Sequence, residues 1–471
     1  MKVALLNPPS FTSVRYIKEG ICQGKAVDMA WPPMTLATIG SLLLRLDSAE
    51  VRLIDGNLHR MSPRRLLGEF RDFPPDVVIV TTSTPTYFAD ARSAAVAREA
   101  NPEVIVVMIG PHASARAGEI ITSGEADIVI RNEPELVAAS LIDALLKGLS
   151  WRTVDGIAFR ENGDLVSTPS PGFIPDLNLL PFPERALLAN QDYVHPLTGR
   201  PFAVIQAGRG CPYECTFCCE FYYGSCWRTR APELIVDEMQ ECVETLGIHD
   251  FLMHSNNFTF SREHTIAFCR ELRERGLPVA WTCTSRVDAV DDDLLAEMRR
   301  AGCAMITYGI ESGDGPILAE AGKGISPGQS LRAVDLTKKH GIASLGHFLF
   351  GLPGETRETA EANIRFALDL NPDYAEFLVA TPYPGTKLSR YLRERGHILS
   401  EDWARYDETC CDVYVLPGFE PDELAGLVRQ AYRRFYLRPG RMLREIFSAW
   451  NSAGLRGMFS LGSLFWQRHL C

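Results

Sequence analysis

The chain has 471 residues, 46% of them hydrophobic and 23% charged, as in ordinary globular proteins. Its net charge of −11 argues against a general nucleic-acid-binding role, because that role needs a basic surface. The sequence has no apolar run long enough to span a membrane, no signal peptide and an odd count of 13 cysteines, so we expect a cytoplasmic protein with free thiols.

Residues 1–148 alternate short apolar strands with amphipathic helices. The predicted strands are Val3–Leu6, Val51–Ile54, Val77–Val80, Val104–Ile109 and Ile128–Ile130. This alternation predicts an α/β unit of the Rossmann-like, doubly wound type, whose ligands bind at the carboxyl ends of the strands. Ser83 follows the third predicted strand, and Gly110, Pro111 and His112 follow the fourth.

Residues 149–198 interrupt this rhythm. Asn162-Gly163-Asp164 between two short apolar runs predicts a hairpin. Five prolines then fall between positions 169 and 183, which is typical of an extended connection. We therefore expect a linker with a hairpin between two domains.

A second alternation occupies residues 199–395. The predicted strands are Phe202–Ala207, Phe251–His254, Val279–Thr282, Met305–Ile310, Ser344–Phe350 and Glu376–Ala380. Six strand–helix units predict a partial (β/α)6 barrel, with its functional residues after the strands.

Residues 396–471 are expected to form a C-terminal helical region. Its last part, Leu437–Cys471, is basic and places five apolar side chains on one helical face: Met442, Leu443, Ile446, Phe447 and Trp450. This face fits either peripheral membrane contact or packing on the barrel, and the sequence favours neither.

Cys211, Cys215 and Cys218 stand in a loop directly after the first barrel strand. Three thiolates at this spacing can hold three corners of an iron–sulfur cluster and leave one iron open, as catalytic metal sites do. The alternative is a structural zinc site with Cys219 or Cys226 as its fourth ligand. Because Cys219 directly follows Cys218, that tetrahedron is strained, and the position after a barrel strand favours the cluster.

The cysteine motif and its position resemble those of the radical S-adenosylmethionine (SAM) superfamily. With the N-terminal unit, the chain resembles the cobalamin-binding branch, in the group of the anaerobic Mg-protoporphyrin ester cyclase and the hopanoid-modifying enzymes. The resemblance implies a 4Fe–4S cluster on the three cysteines and reductive cleavage of SAM to a 5′-deoxyadenosyl radical. It also implies an external electron donor, such as a reductase, a flavodoxin or a ferredoxin.

Further stretches are similar to SAM-binding segments of that superfamily. Tyr308–Gly313 resembles the end of strand four, which implies that Glu311 and Ser312 lie near the SAM ribose and methionine. Glu311 is also a candidate catalytic residue, because it is a carboxylate at a strand end in a site that must otherwise be dry. The stretch from position 347 to 356 resembles the adenine motif and makes His347 and Gly351 candidate cofactor ligands.

Two further SAM contacts are implied by the resemblance. Phe217 precedes the last cluster cysteine, in the aromatic position near the SAM adenine. Asn256 stands where related enzymes often have acidic residues, and an amide accepts a hydrogen bond from the SAM ammonium more weakly than a carboxylate does.

The resemblance implies cobalamin in the N-terminal unit, held by Ser83, Gly110, Pro111 and His112. The stretch from Asp55 lacks the histidine of the Asp-x-His-x-x-Gly motif, and the radical SAM branch generally lacks it too.

The function implied is cobalamin-dependent C-methylation, or radical cyclisation or oxidation, of an apolar or natural-product small molecule such as a lipid or a tetrapyrrole. Two alternatives remain open. One is a cobalamin-independent radical SAM enzyme that abstracts hydrogen and has a degenerate N-terminal domain; the other is a non-catalytic iron–sulfur or zinc sensor.

Overall fold

The computed structural model describes residues 1–20, 23–26, 29–420 and 422–440. It contains two α/β units in chain order, each built on a mostly parallel sheet. The first unit consists of β1 (Lys2–Asn7), β2 (Arg15–Tyr16), β3 (Lys25–Ala26), α1 (Met34–Leu43), β4 (Glu50–Asp55), α2 (Pro63–Asp72), β5 (Val77–Thr81), α3 (Tyr87–Ala100), β6 (Ile105–Ile109), α4 (Pro111–Ser123), β7 (Ile128–Ile130), α5 (Glu135–Leu146), β8 (Ile157–Glu161) and β9 (Asp164–Ser167).

The first sheet has the strand order β4-β1-β5-β6-β7-β8-β9, and the strands from β4 to β7 in that order are parallel. Strand β5 is buried along its whole length, because helices cover both faces of the sheet. Val78 and Val80 face one apolar core, and Val77 and Ile79 face the other, as side-chain alternation along a strand requires. The predicted doubly wound sheet is confirmed.

The predicted hairpin is present as β8 and β9, but it does not stand apart within a linker. Strand β8 pairs antiparallel with β7, so the hairpin extends the first sheet. Burial of Ile157 and Phe159 in the core of that sheet explains the difference. Only residues 168–201 then connect the two units, through turns and short 3-10 helices.

The second unit has the following elements in chain order: β10 (Phe202–Gln206), β11 (Gly208–Arg209), β12 (Arg228–Thr229), α6 (Pro232–Leu246), β13 (Asp250–His254), α7 (Arg262–Glu274), β14 (Ala280–Ser285), α8 (Asp292–Arg300), β15 (Cys303–Glu311), α9 (Gly315–Glu320), α10 (Pro327–Lys339), β16 (Ala343–Phe350), α11 (Arg357–Leu370), β17 (Tyr374–Val379), α12 (Lys387–Glu394) and α13 (Glu423–Tyr436). Its six long strands pair in parallel in the order β10-β13-β14-β15-β16-β17. Strands β10 and β17 stand at opposite edges, so the predicted partial barrel is confirmed.

The segment after the barrel is irregular up to α13, whereas the sequence predicted a helical region from residue 396. Residues 397–415 run along the β17 edge, where the Glu408 carbonyl accepts a hydrogen bond from the Val379 N–H at 2.6 Å. Helix α13 packs on the same strand, and its Tyr436 hydroxyl donates to Ala375 O at 2.8 Å. The apolar face predicted beyond position 441 lies outside the described residues.

The two units share an apolar core. Trp31 and Met34 of the first unit pack with Phe202 and Val204 of β10. This contact fills one side of the barrel and orients the carboxyl ends of the first sheet toward it. In the described part of the chain, every helix is too short or too polar to cross a membrane.

Candidate active site

The loop with the three predicted cluster cysteines lies between β11 and β12. It begins at Gly210, which has a φ of +79° and lies so close to the Cys226 carbonyl that a Cβ would overlap it. Cys211, Cys215 and Cys218 are free thiols. The glycine therefore permits the tight crossing that starts the cysteine loop.

Two backbone hydrogen bonds attach the middle of this loop to the barrel. The Thr216 N–H donates to Ala321 O at 2.9 Å, and the Thr216 carbonyl accepts from the Leu388 N–H at 2.7 Å. Ala321 directly follows α9 and Leu388 lies in α12, so elements that follow two different barrel strands hold the loop.

Burial raises the pKa of all three thiols, and the other thiols of the loop raise that of Cys218 further. The Lys323 charge acts in the opposite direction and lowers the pKa of all three thiols, and the Arg286 charge lowers the pKa of Cys211 and Cys215 as well. The loop thus presents neutral, desolvated thiols beside two cations.

This donor set fits a cluster with thiolate ligands. A metal displaces the proton when it binds a thiol, and the neighbouring cations balance the charge that the thiolates then carry. Within the described ranges, no three His, Cys, Asp or Glu side chains converge closely enough to share one metal ion. A four-iron cluster instead takes its thiolates on separate irons, so the fit rests on the donors and their charges.

Glu311 is turned into the barrel by a backbone irregularity. A β-bulge lies between Gly309 and Glu311, and Glu311 has a φ of +66°. Bulges re-aim side chains, and a positive φ outside glycine is a strained conformation that is common at functional sites. The Glu311 carboxylate accepts a hydrogen bond from Lys323 Nζ at 2.8 Å, and both side chains are buried. A Cβ at position 309 would come within 2.6 Å of both groups, so glycine there leaves room for the ion pair.

Two cations of this site were missed by the sequence analysis. Arg286 lies over the Tyr213 ring at 3.5 Å and donates Nη2 to Lys323 O at 2.9 Å. It directly follows β14, so the expectation that functional residues follow barrel strands could have identified it. Lys323 lies in a loop after α9, where no sequence pattern marks it. Burial lowers the pKa of Lys323, but Glu311 and Cys215 raise it overall, which keeps the ammonium charged.

The end of β13 contributes amides and a histidine. Asn256 Nδ2 is buried without a hydrogen-bond partner among the described residues, so it is free to face a ligand. His254 instead shares a hydrogen bond with Gln206 Oε1 at 3.0 Å and packs edge-on against Trp31 at 5.4 Å. Burial, with a contribution from Arg209, lowers the pKa of His254 to about 4, so this side chain is a neutral part of the domain interface.

His347 lies on the inner face of the barrel and pairs with Glu376, its neighbour across β16 and β17, at 3.0 Å. Burial alone would lower the pKa of His347, but the Glu376 carboxylate raises it above its usual value, so the imidazole is charged more readily. Gly351 follows the same strand, and its carbonyl accepts from the Tyr414 hydroxyl at 3.0 Å.

The other two predicted SAM contacts lie near the same strand ends. Phe217 packs partly buried against the barrel core, with Lys323 Nζ 6.0 Å from its ring centre. Ser312 is fully buried, and its hydroxyl accepts from the Asp314 N–H at 3.1 Å. The Ser312 hydroxyl therefore already stabilises the turn after β15.

The barrel encloses accessible space. Along β14 to β17, alternate side chains are buried against the helices, as Tyr308 is through its hydrogen bond to Thr337 of α10 at 2.8 Å. The side chains between them face the opposite side and remain partly accessible: Thr282, Thr284, Met305, Thr307, Leu345, His347, Glu376 and Leu378. In a closed parallel barrel such inward side chains fill the interior and are buried. Here they remain partly accessible, so the lumen has room for a ligand.

At the carboxyl end of the first sheet, the residues that follow β6 begin a helix. Gly110 precedes α4, and Pro111 is its first residue, where its fixed φ suits the helix. His112 stands in the first turn and shares a hydrogen bond with Thr84 Oγ1 at 3.2 Å. The Ser83 hydroxyl bonds to Thr86 Oγ1 at 2.7 Å.

His112 supplies the observation that bears on cobalamin. Its Nε2 is buried and has no partner in the described part of the chain, and its ring packs between Tyr87 and Trp403. Burial, and then the charge of Arg116, lowers the pKa of His112 to about 3, so the ring is neutral. A buried polar atom without a partner is costly unless a ligand completes it. A neutral imidazole suits the amide groups of a corrin, so these residues fit the cofactor.

Buried charges join the first unit to the base of the cysteine loop. Arg209 donates to both Glu133 and Glu135, and Arg228 donates to Glu133 at 2.9 Å. All four side chains are buried. Gln23 forms a second bridge, since it donates to Cys219 Sγ at 3.4 Å and accepts from the Thr84 N–H at 2.8 Å. The carboxyl ends of the two sheets are thereby held face to face.

Comparison with known proteins agrees with this architecture. The radical SAM superfamily profile matches residues 205–367, and the B12-binding domain profile matches residues 24–142. An uncharacterised methyltransferase of Pyrococcus horikoshii is 34% identical to this chain and is matched over 95% of both chains. The anaerobic magnesium-protoporphyrin IX monomethyl ester cyclase of Cereibacter sphaeroides is 29% identical, over 94% of this chain and 72% of its own.

The fold also matches a solved structure. The radical SAM methyltransferase TsrM of Kitasatospora setae, with cobalamin and a 4Fe–4S cluster bound, superposes with a TM-score of 0.71. The match covers 93% of this chain and 89% of that one at 19% identity, so it supports the fold alone.

Proposed function

We propose that this chain, which belongs to the cobalamin-dependent family of radical SAM enzymes, methylates a carbon atom of a small-molecule substrate. The cofactors of the enzyme are a 4Fe–4S cluster, SAM and cobalamin. When bound, they supply a 5′-deoxyadenosyl radical from reductive cleavage of SAM and a transferable methyl group.

In this proposal, Cys211, Cys215 and Cys218 hold the cluster. Three protein ligands leave one iron for SAM. The cations Lys323 and Arg286 offset the charge of the three thiolates, and their action on the thiol pKa values supports that role.

Glu311, Asn256 and Phe217 orient SAM in this proposal. Glu311 accepts from a SAM hydroxyl group while the hydrogen bond from Lys323 holds its carboxylate in place, and the Asn256 amide donates to SAM. The strained backbone at Glu311 supports a functional reading, since strain of about 1–3 kcal/mol persists where the surrounding structure requires it. Ser312, His347 and Gly351 remain proposed SAM contacts on resemblance alone.

The main structural support for methyl transfer is the buried connection between the two cofactor-binding units. Arg209 ends β11, directly before the cysteine loop, and its carboxylate partners Glu133 and Glu135 follow β7 of the B12-binding domain. Ser83, Gly110, Pro111 and His112 line the same edge of that domain. A fixed connection of this kind suits an enzyme in which both cofactors must act on one substrate. The relative matched over 95% of both chains is named a methyltransferase, which also favours this outcome.

The proposal includes an external one-electron donor of the flavodoxin or ferredoxin type. It also includes a reducing, cytoplasmic setting, because the described cysteines are free and the thiol-bound cluster would be lost on oxidation.

The test is anaerobic reconstitution with iron, sulfide and cobalamin, followed by reductant, SAM with a 13C-labelled methyl group and a small-molecule cell extract. We expect deoxyadenosine together with a labelled product, and no labelled product when cobalamin is omitted. Deoxyadenosine without label transfer would favour cyclisation, the reaction named for the Cereibacter relative. An intact cluster that releases no deoxyadenosine would contradict radical chemistry.

A further inference from the structure

We propose that Glu408, with Tyr383 and the His347–Glu376 pair beside it, binds a positively charged nitrogen group of the substrate. This inference rests on the proposed function and adds the chemical class of the substrate to it. Among these residues the sequence analysis identified only His347, which it assigned to SAM.

Glu408 reaches the cavity from the segment that follows the barrel. Its carbonyl continues the hydrogen bonding of the β17 edge through Val379, which fixes the backbone. Its carboxylate accepts from the Tyr383 hydroxyl at 3.1 Å. On the other side, the Cβ of a residue at position 24 would come within 2.8 Å of Glu408 Oε2, so the first unit approaches the same carboxylate. Glu408 therefore lies where the barrel, the C-terminal segment and the first unit meet.

His347, Glu376 and Glu408 are partly accessible, whereas Tyr383 beside them is buried. His347 and Glu376 keep 32% and 25% of their side-chain surface accessible. Burial nevertheless has the largest influence on the pKa values of His347, Tyr383 and Glu408. Side chains that are both accessible and desolvated line a cavity rather than the outer surface.

Two carboxylates near this cavity have cation partners among the described residues. Lys323 pairs with Glu311, and His347 pairs with Glu376. Among the residues that the structure describes, Glu408 forms no ion pair, and its hydrogen-bond donor is the neutral Tyr383 hydroxyl. A buried carboxylate without a cation beside it is destabilised. A cationic ligand would therefore form with Glu408 the ion pair that the described residues do not provide.

The titration of Glu408 supports this reading. Burial, and then the neighbouring Glu376 charge, raises the pKa of Glu408 to about 7, with a smaller upward contribution from Asp407. The Tyr383 hydrogen bond and the His347 charge act in the opposite direction but do not cancel the shift. A bound cation would lower that pKa, so binding and ionisation of Glu408 reinforce each other.

Other substrate classes fit this cavity less well. A substrate carboxylate would be repelled by Glu376 and Glu408. A hydrocarbon would bury Glu408 further without giving it a partner. A neutral hydroxyl would repeat the kind of hydrogen bond that Tyr383 already provides, and it would leave the charge unbalanced. An ammonium or another protonated nitrogen is attracted by both carboxylates, gives Glu408 a hydrogen-bond donor and balances its charge.

The experiment divides the substrate pool by charge. A methanol extract of cells that make this protein is passed over a cation exchanger at pH 7, and the retained and unretained fractions are each incubated with holoenzyme, reductant and 13C-methyl SAM. We expect the labelled product from the retained fraction. Label transfer from the unretained fraction alone would overturn the inference while leaving the proposed function standing. Label transfer from neither fraction would contradict both.

Kinetics with the compound purified from the labelled fraction then test Glu408 itself. We expect Glu408→Gln to raise KM at least about tenfold, the effect of losing a hydrogen bond to a charged group, with a smaller change in kcat. Glu408→Asp should restore part of the affinity, which shows that the charge matters. Glu401→Gln removes an exposed carboxylate of the same segment and should leave KM unchanged. Equal KM values for Glu408→Gln and the unaltered enzyme would overturn the inference.

Discussion

The polar side chains at the carboxyl end of the first sheet bond to one another, whereas those at the carboxyl end of the barrel line a cavity. In the first sheet, Asn7 donates to Asp55 at 2.9 Å, and Lys18 pairs with Asp90 at 2.5 Å. In the barrel, Glu376 and Glu408 face accessible space. Parallel sheets commonly bind their ligands at the carboxyl ends of the strands, so the two edges can be compared directly.

The difference shows what each edge contributes. A self-satisfied edge keeps its shape without a ligand, and His112 Nε2 is an exception that a cofactor can complete. An edge that carries thiols, a strained carboxylate and desolvated acids lowers the free energy of unfolding of the protein. We therefore expect substitutions at the barrel edge to remove chemistry and substitutions between the edges to remove stability.

The largest effect should come from the cluster ligands. Cys215→Ser replaces a thiolate donor, so we expect the reconstituted protein to lose most of its iron and deoxyadenosine formation to fall by more than about 100-fold. Iron and sulfide analysis, visible absorption and product quantification measure this, and far-UV circular dichroism should be unchanged.

Cys226→Ser is the matched control, because Cys226 is an exposed thiol of the same loop. It should retain both iron and activity. If it also lost metal, and if the purified protein contained zinc, the loop would be a structural zinc site and the comparison of the two edges would fail.

The next effect should come from the contact between the units. Arg209→Met leaves Glu133 and Glu135 buried without this cation, which costs about 3–5 kcal/mol for a buried pair that loses one partner. We expect a clear fall in Tm and weaker cobalamin binding, measured by thermal denaturation and by titration of the cobalamin absorbance.

Two further variants check the cause of that change. Glu135→Gln in the Arg209→Met background should recover part of the loss, because it removes one unpaired charge. Arg152→Ala breaks an exposed pair with Glu161 and should change Tm little. A Tm for Arg209→Met equal to that of Arg152→Ala would mean that the buried network does not join the units.

Much of the architecture could be predicted from the sequence, because strand and helix periods are local signals. The position of the cysteine loop after the first barrel strand was predicted for the same reason, since its three cysteines lie within eight consecutive positions. The hairpin was predicted as a structure but placed in a linker, because its pairing with β7 depends on burial that no local pattern shows.

The rest of the site depends on contacts between distant segments. Lys323 meets Glu311 through the bulge in β15, and Glu408 meets Tyr383 through an irregular segment that has no periodic pattern. Arg209 and its carboxylates come from different units. Charged residues in loops are ordinarily solvated, so only the folded chain shows which of them are buried together.

The smallest effect concerns the stability cost of the open edge. Folding raises the pKa of Glu408 from about 4.5 to about 7, so the folded state holds this proton more tightly than the unfolded state does. The stabilisation is therefore full below about pH 4.5 and is lost as the pH rises through 7. The Gln side chain of Glu408→Gln cannot ionise. Between pH 5.5 and 8, the free energy of unfolding of this variant should therefore fall by roughly 1–3 kcal/mol less than that of the unaltered protein.

Thermal denaturation of both proteins at the two pH values measures this difference. Glu401→Gln is the control, because its exposed carboxylate has its pKa lowered by Arg393 and titrates below this window. At pH 8, Glu408→Gln should therefore be the more stable protein and the poorer enzyme, as expected for a carboxylate kept for binding rather than for folding. Parallel pH profiles for Glu408→Gln and the unaltered protein would show that Glu408 is already satisfied in the folded chain.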